Sequence, residues 1–416
     1  MSKKWLSTLL GGLVMASLSS PSGAAELSGK ITIWSWDVAA KSLSDSAANF
    51  KKLHPKVEFV IEDLGTDQVY DKLTTCLAAN VGLPDVVSIE GERISGFASK
   101  FPQSFVDFTG KLKTDDFLKV KRAECTVNGR LVAVPWDSGP CALYYRTDYF
   151  QKAGVKPGDL KTWEDLLKAG KKMNALGVKM LPTSVSRRIT LYSFMLNQQG
   201  QALFNQNGKP QFDSEASVKA MTMVKKLYDA GVIYDSVNWD GLVTATKDGK
   251  VATVASAVWW AGTMKDEVKD ASGKWAVMRM PSLAAGGGTA ATDGGSDLMV
   301  LASSPSRQAA VEFAKFAMTD KASLVNGFSK YGLYPSYIPS FKDPVFEMAE
   351  PYFGKQKIWK LFAQIAPEIP PVHSSEYYQE VCDLAYNAQA RILLKNADVR
   401  STLKSLQQDA MAKISQ

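Results

Sequence analysis

Residues 132–146 read VAVPWDSGPCALYYR, two apolar, β-prone runs separated by a polar and aromatic link. The first run breaks at Pro135 and the second begins after Gly139-Pro140, because proline lacks the amide hydrogen that a sheet ladder needs. The link holds an aromatic ring and a carboxylate, Trp136 and Asp137. Such a segment fits either an ordinary loop between strands or a crossover between two domains that lines a cleft.

The composition is that of a globular protein with more than one domain. The chain has 416 residues, of which 45% are hydrophobic and 22% charged, and domains average about 150 residues. The formal net charge is +7, and removing Lys3 and Lys4 with the expected leader leaves +5. We expect no nucleic-acid partner, because the basic residues form no cluster.

The first 25 residues have the pattern of a secretory signal. Lys3 and Lys4 precede an apolar run at residues 5–18, and small residues continue to Ala25. That run is too short to span a membrane comfortably, and we expect cleavage after Ala25. The predicted location is the periplasm of a Gram-negative bacterium, although a secreted enzyme would carry the same leader.

Four cysteines would then lie in an oxidising compartment. They can form two disulfides in three connectivities, or remain buried thiols, and their spacing does not distinguish these alternatives. The sequence contains no C-x-x-C pair, so we expect no metal or redox role. The cysteines are Cys76, Cys125, Cys141 and Cys382.

The N-terminal part alternates strands and helices. Strands are predicted at residues 27–36, 57–61 and 83–89, and helical periodicity occupies residues 42–52 and 67–80. This order predicts a largely parallel sheet covered by helices on both faces.

A second α/β unit follows the opening stretch. It has a helix at residues 163–176, a strand at 179–183, an Asn-Gly hairpin at 204–212 and a buried strand at 251–258. The chain from residue 344 onward is predicted to be helical. In open α/β sheets, ligands bind beyond the carboxyl ends of the strands.

Aromatic residues stand beside one another or beside carboxylates at the ends of the predicted segments. Sugar rings present apolar C–H faces and a rim of hydroxyls, which flat aromatic rings and charged groups respectively match. Each pair alone is typical of a protein core, but four pairs at segment ends favour a saccharide site. The pairs are Trp36-Asp37, Trp136-Asp137, Trp259-Trp260 and Tyr377-Tyr378.

The sequence offers little for catalysis. His54 and His373 are its only histidines, and neither belongs to a triad-like or metal-spaced motif. Paired carboxylates for glycoside cleavage remain open as an alternative, because their separation in space cannot be inferred from the sequence. We therefore expect a binding protein and not an enzyme.

The chain resembles the periplasmic solute-binding proteins of carbohydrate ABC transporters, the maltose-binding-like group. The resemblance covers nearly the whole mature length. It is carried by ITIWSWD at 31–37, LPDV at 83–86, NGRL at 128–131, PWDSGP at 135–140, ALYYRTD at 142–148, WEDL at 163–166 and GGS at 294–296.

The resemblance implies an α/β, two-lobed periplasmic-binding-protein fold, type II-like, with a ligand cleft between lobes that hinge crossovers join. Lobe one would comprise residues 26–136 with 292–338, and lobe two residues 137–291 with 339–416. It implies a monomer that captures a sugar and delivers it to the membrane permease of an ABC importer, without a cofactor.

By position, the resemblance implies a ligand site assembled from both lobes and the crossover. Trp36 replaces a small polar residue of maltose binders, and Arg187-Arg188 lie near a middle-segment aromatic of that group. A mono- or disaccharide is therefore expected in place of a maltodextrin. The implied site residues are Trp36, Asp37, Glu92, Arg93, Trp136, Asp137, Arg188, Trp259, Trp260, Gly295, Ser296, Asp297, Tyr377 and Tyr378.

Three alternatives remain open. Tyr377-Tyr378 is similar to the paired tyrosines of ferric-ion binders. A polyamine binder would need a strongly acidic cleft, against which Arg93 and Arg187-Arg188 argue. A secreted carbohydrate-degrading enzyme would turn its ligand over, whereas a binding protein returns it unchanged.

Overall fold

The computed structural model describes residues 26–415, so the expected leader, residues 1–25, lies outside the described residues. The strands are β1 (Gly29–Ser35), β2 (Val57–Asp63), β3 (Val86–Glu90), β4 (Thr126–Val127), β5 (Arg130–Leu131), β6 (Val134–Pro135), β7 (Cys141–Arg146), β8 (Leu181–Thr183), β9 (Ile233–Asp235), β10 (Thr253–Ala257), β11 (Trp275–Met278) and β12 (Ser296–Val300).

Helices connect these strands and form most of the C-terminal part. They are α1 (Asp37–Leu53), α2 (Thr66–Ala79), α3 (Gly91–Lys100), α4 (Lys119–Glu124), α5 (Thr147–Lys152), α6 (Trp163–Ala175), α7 (Thr190–Asn197), α8 (Glu215–Asp229), α9 (Trp239–Lys247), α10 (Trp260–Glu267), α11 (Arg307–Thr319), α12 (Lys321–Tyr331), α13 (Ile358–Ile365), α14 (Tyr378–Leu394) and α15 (Val399–Ile414). Within residues 26–415 no helix is long and apolar enough to cross a membrane.

Lobe one is built on a five-stranded sheet with the order β2-β1-β3-β12-β6. Strand β1 pairs in parallel with β2 and β3, as the alternating β-α pattern predicts. Strand β12 returns from far along the chain and pairs antiparallel with β3 and β6. The core of this lobe contains apolar residues of the sheet and of α1, α2 and α11, with Phe50 and Phe313 among them.

Lobe two contains an antiparallel sheet with the order β10-β7-β11 and a small parallel pair, β8-β9. One core of this lobe joins α6, α7, α8, α14 and α15 around buried residues such as Trp163. A further core contains Trp260, Trp275, Phe328 and Trp359.

The chain passes between the two sheets around residues 136–140 and 291–295, and a third segment at residues 332–336 runs beside the first through a bridge between Asp137 and Pro335. The opening stretch is the first of these crossovers, since β6 belongs to lobe one and β7 to lobe two. These segments hydrogen-bond to one another through backbone, for example from the Ser336 amide to the Trp136 carbonyl at 2.7 Å. Because these segments touch both lobes, the boundaries at 136/137, 291/292 and 338/339 remain a prediction.

Two glycines allow the first two crossovers to approach backbone to backbone. A Cβ added at Gly139 would lie 2.1 Å from the Asp293 carbonyl oxygen. Gly295 has φ +114°, and a Cβ there would lie 2.5 Å from the Asp137 carbonyl oxygen. Only glycine satisfies both the conformation and the space at residue 295.

The structure corrects several local expectations. Residues 131–134 do not form one strand but contribute to β5 and β6. The predicted hairpin at 204–212 is present in short form, with an antiparallel bridge between Phe204 and Pro210 and a backbone hydrogen bond from Gln211 to Leu203 at 3.0 Å. All four cysteines are free thiols, three of them buried, so the disulfide alternative is wrong for this structure and the buried-thiol alternative describes most of them.

A buried lysine lies beneath the crossovers. The Lys121 ammonium, on α4, is 2.8 Å from Asp297 Oδ2 and 2.8 Å from Glu124 Oε2, and it donates to the Gly295 carbonyl at 3.3 Å. Its side chain is 1% exposed. Burial alone would lower the pKa of Lys121, but the Asp297 and Glu124 carboxylates raise it well above its usual range, so the cation persists at neutral pH.

Removing the Lys121 cation should destabilise the protein strongly. Lys121→Met leaves Asp297 buried without its partner, which costs about 3–5 kcal/mol, on the order of 10 °C in the melting temperature Tm. The matched control is Lys113→Met, which removes a lysine from an exposed i,i+3 pair with Asp116. Calorimetric Tm values that are equal for both variants would contradict the assignment.

Candidate functional site

A cleft of about 1900 Å³ lies between the lobes. It is lined by the residues that follow β1 and β3 in lobe one, by the second crossover, and by β8, β10, α9 and α14 regions of lobe two. The amino termini of α1 and α3 border it, and the partial positive charge of a helix amino terminus favours electronegative ligand atoms there.

Asp37 opens α1 at the cleft wall. Its backbone is left-handed, with φ 43°, a conformation that costs a non-glycine residue on the order of 1 kcal/mol. The Asp37 amide donates to Asp63 Oδ1 at 2.8 Å, which holds this turn in place. Burial raises the pKa of Asp37, and repulsion from Asp63 raises it further. Trp36 packs its ring 5.9 Å from that of Tyr70.

A second group follows β3. Glu90 Oε2 accepts hydrogen bonds from the Tyr70 hydroxyl at 3.0 Å and from Arg93 Nε at 3.3 Å. The Arg93 guanidinium lies 4.1 Å from the centroid of the Tyr70 ring. These contacts fix Arg93 in the cleft wall with its charge partly compensated.

Glu92 lies among like charges in the same loop. Burial raises the pKa of Glu92 to about 8, and repulsion from Glu90 and Glu124 contributes. Its carboxylate also faces Tyr378 and Cys382 of α14, which places it between the lobes. A hydroxyl donor from a ligand would stabilise its ionised form.

The crossovers provide the floor of the cleft. Asp137 Oδ1 accepts from the Ser296 amide at 2.6 Å, so this carboxylate braces the second crossover. Burial raises the pKa of Asp293 to about 6 against the lowering effect of Arg188. Asp293 is half-buried and lines the cleft.

Trp259 is the aromatic wall of lobe two. Its Nε1 donates to the Asp293 carbonyl at 3.0 Å, which fixes the indole plane relative to the floor. The ring is half-buried and lies 5.7 Å from Trp239, which also lines the cleft. Together they offer an apolar surface beside the Asp293 carboxylate.

The remaining wall comes from the loop after β8 and from α14. Gln389 Nε2 donates to the Ser184 and Arg188 carbonyls at 3.1 and 2.9 Å, which anchors the loop that carries Arg188. Tyr386 lies close enough to Arg188 for that charge to act on its hydroxyl. Tyr377 and Tyr378 begin α14 and line the same side.

The structure brings most of the predicted site residues together along the cleft. Those that line it are Trp36, Asp37, Glu92, Arg93, Asp137, Arg188, Trp259, Gly295, Ser296, Tyr377 and Tyr378.

Three predicted residues lie elsewhere. Trp136 is 3% exposed and packs in the core of lobe one. Trp260 is fully buried and contacts Trp239 edge to face in the core of lobe two. Asp297 is fully buried because it is the counter-ion of Lys121. The prediction that these three residues contact the ligand is therefore corrected: each is buried behind the cleft and none forms its surface.

Sequence reasoning missed Glu90, Trp239, Asp293 and Tyr386, all of which line the cleft. Asp293 stands two residues before the predicted Gly295, and Tyr386 lies two helical turns after Tyr378. The sequence positions of these predicted site residues could therefore have pointed to both. Trp239 begins α9, and nothing beside it in the sequence marks it as part of a site.

The arrangement suits a ligand that combines apolar faces with hydroxyl donors. Burial makes the carboxylates of the cleft costly to ionise, so hydroxyl donors from a ligand would stabilise them. The neighbouring arginines can donate hydrogen bonds to ligand oxygens, and the aromatic rings can pack against apolar faces. Among residues 26–415 there is no group of three or more His, Cys, Asp or Glu side chains placed to hold a metal ion.

Comparison with known proteins identifies the family. Residues 45–350 match the model for bacterial extracellular solute-binding proteins. The chain is 31% identical over 422 residues to a lactose-binding protein from Rhizobium radiobacter, covering 98% of this chain and 99% of that protein. The chain belongs to the family of bacterial extracellular solute-binding proteins.

One further relative and one solved structure are similar to this chain. An arabinooligosaccharide-binding protein from Bacillus subtilis is 25% identical over 91% of this chain and 90% of its own length. An ABC transporter associated binding protein from B. animalis subsp. lactis, solved with β-1,6-galactobiose, superposes with a TM-score of 0.79 at 24% identity, over 92% of this chain and 96% of that one. The predicted two-lobed α/β fold is thereby confirmed.

The raised pKa of Glu92 predicts a stability change with pH. The folded protein holds a proton on Glu92 up to about pH 8, whereas the unfolded chain releases it near 4.3. The folded state therefore binds more protons in this interval, and stability falls as pH rises. Glu92→Gln should match the wild type in Tm at pH 4.5 and exceed it at pH 8. A difference that is constant with pH would contradict the shift.

Proposed function

We propose that the protein captures a short, uncharged saccharide in the cleft as the binding component of an ABC importer. The observation that carries this is Trp259, whose half-buried ring is fixed by a hydrogen bond to the carbonyl of Asp293, itself a half-buried aspartate. An aromatic face beside such acceptors complements the C–H face and the hydroxyl rim of a sugar ring.

Besides Trp36 of lobe one, two groups of aromatic residues from lobe two line the cleft. Trp239 and Trp259 form one, and Tyr377, Tyr378 and Tyr386 form the other on α14. Two aromatic groups support a ligand of at least two sugar units, because each group can face one ring. The relatives named for lactose and arabinooligosaccharides support the same size class.

The charged side chains of the cleft wall are the expected hydrogen-bond partners of the sugar hydroxyls. Asp37, Glu92 and Asp293 would accept hydrogen bonds from hydroxyls, and Arg93 and Arg188 would donate to ring or hydroxyl oxygens. Capture outside the cytoplasm agrees with the extracellular family of the chain. Delivery to a membrane permease, action as a monomer, and the periplasm as the site of capture are part of the proposal.

Trp259→Ala should lower saccharide affinity by about 10- to 100-fold, since a buried tryptophan contact is worth roughly 1.4–3 kcal/mol. Isothermal titration calorimetry would measure it. The matched control is the adjacent Trp260→Phe, which alters the core and should lower Tm while leaving the affinity unchanged. Normal binding by the Trp259 variant would refute the site.

A thermal-shift panel would identify the ligand. It should contain pentoses, hexoses, disaccharides including lactose, and arabinooligosaccharides. A true ligand at 100 times its dissociation constant adds about 2.7 kcal/mol of stability. Chromatography of the sugar afterwards distinguishes a binder, which returns it intact, from a carbohydrate-degrading enzyme. If no saccharide raises Tm, the proposal fails.

A polyamine is the second candidate, and one observation favours it. The carboxylates of Asp63, Asp240 and Glu267 act on Asp37, two of them from lobe two, and the Lys41 cation offsets part of this repulsion. A cationic solute would relieve this repulsion. Including putrescine and spermidine in the panel separates the candidates, because only one class should shift Tm.

A further inference from the structure

One segment of lobe two reaches across the cleft. Residues 370–377, here called the strap, precede α14 and line the cleft from Val372 onward. The strap is held to its own lobe by a backbone bridge between His373 and Phe204. It also passes the turn at Gly208, where an added Cβ would lie 3.8 Å from the Ser374 carbonyl oxygen.

The strap also contacts lobe one directly. The Ser374 hydroxyl donates to the Glu92 carbonyl at the start of α3. One turn later, a Cβ added at Gly96 would lie 3.3 Å from the Glu376 carbonyl oxygen, so helix and strap are in close backbone approach. Just beyond the strap, Glu380 accepts from Lys100 at 3.0 Å.

These contacts form a continuous wall. Lobe two is joined to α3 through a hydrogen bond, a backbone approach and an ion pair over successive turns. A saccharide cannot extend between α3 and the turn at Gly208 unless these contacts separate. The cleft is therefore closed on the side that carries Tyr377 and Tyr378.

The lobes meet differently between α1 and α10. There Lys41 Nζ lies 3.3 Å from Asp266 Oδ2, and the two side chains are 52% and 49% exposed. An exposed ion pair of this kind contributes little, since its solvation offsets its attraction. A ligand that extends past it would displace only flexible side-chain ends.

We propose that the strap is a specificity-determining segment that ends the ligand: one terminal sugar unit abuts residues 370–377, and additional units are accepted only away from them. This rests on the proposed saccharide function and adds which end of the saccharide lies against the strap. Selectivity comes from a repulsive element, a wall that excludes ligands extended at one terminus.

The test uses the mature protein and three probes. Lactose is the reference, 4-nitrophenyl β-lactoside extends it at the reducing end, and 3′-galactosyl-lactose extends it at the non-reducing end. Titration calorimetry should show one extended probe within about threefold of lactose and the other weaker by about tenfold or more.

Releasing the wall should remove this discrimination. The double variant Ser374→Ala, Lys100→Met cuts both side-chain tethers to lobe one, and the rejected probe should recover about fivefold or more relative to lactose. Glu380→Gln combined with Ser374→Ala breaks the same ion pair from the other side and should reproduce the effect. Lys41→Met is the matched control, and its affinity ratio should stay unchanged.

Each outcome decides the matter. Equal affinity for both extended probes, equal rejection of both, or no recovery in the two strap variants overturns the inference and leaves saccharide binding intact. If lactose and both extended probes fail to bind while another saccharide of the panel binds, the inference fails and saccharide capture stands. If no saccharide of the panel binds, both fail.

Discussion

The buried Lys121 cation is the constraint on which the site depends. One ammonium group satisfies Asp297 at the start of β12, Glu124 at the cleft wall and the carbonyl of Gly295 in the second crossover. Asp297 in turn accepts from the Trp136 amide at 3.2 Å in the first crossover. The Lys121 ammonium group thus links α4 to both crossovers, and these crossovers form the floor of the cleft.

Within the described part of the chain, several carboxylates in the walls of the cleft have no hydrogen-bond partner strong enough to offset the cost of their burial. Glu90 is committed to Tyr70 and Arg93, whereas Glu92 and Asp293 have raised pKa values because burial disfavours their charge. A ligand that supplies hydroxyl donors compensates this cost, so binding energy is available without rearrangement of the floor.

Much of the lobe-one fold could be predicted because it follows from local pattern. Strand and helix periodicity from β1 to β3 indicated a parallel sheet, and the proline and glycine breaks at residues 135–140 indicated the crossover. The burial of Lys121 could not be predicted, since its partner Asp297 lies 176 residues away and α4 is short and highly charged.

The burial of neighbouring tryptophans could not be predicted from the sequence either. Trp259 and Trp260 are adjacent in sequence, but α10 begins at Trp260 and turns that ring into the core while Trp259 remains at the cleft. The side of a helix that faces a ligand depends on how the helix docks, which residue type does not reveal. Trp136 directly follows β6 and packs into the core of lobe one, which its residue type does not reveal either.

Saccharide binding between the lobes against Trp259 can be seen in a crystal structure of the mature protein with the highest-affinity disaccharide of the panel. A sugar ring should lie on the exposed face of Trp259, with hydroxyls bonded to Asp293 and to Asp37 or Glu92. Density for the sugar outside the cleft, or inside it without contact to Trp259, would refute binding at this site.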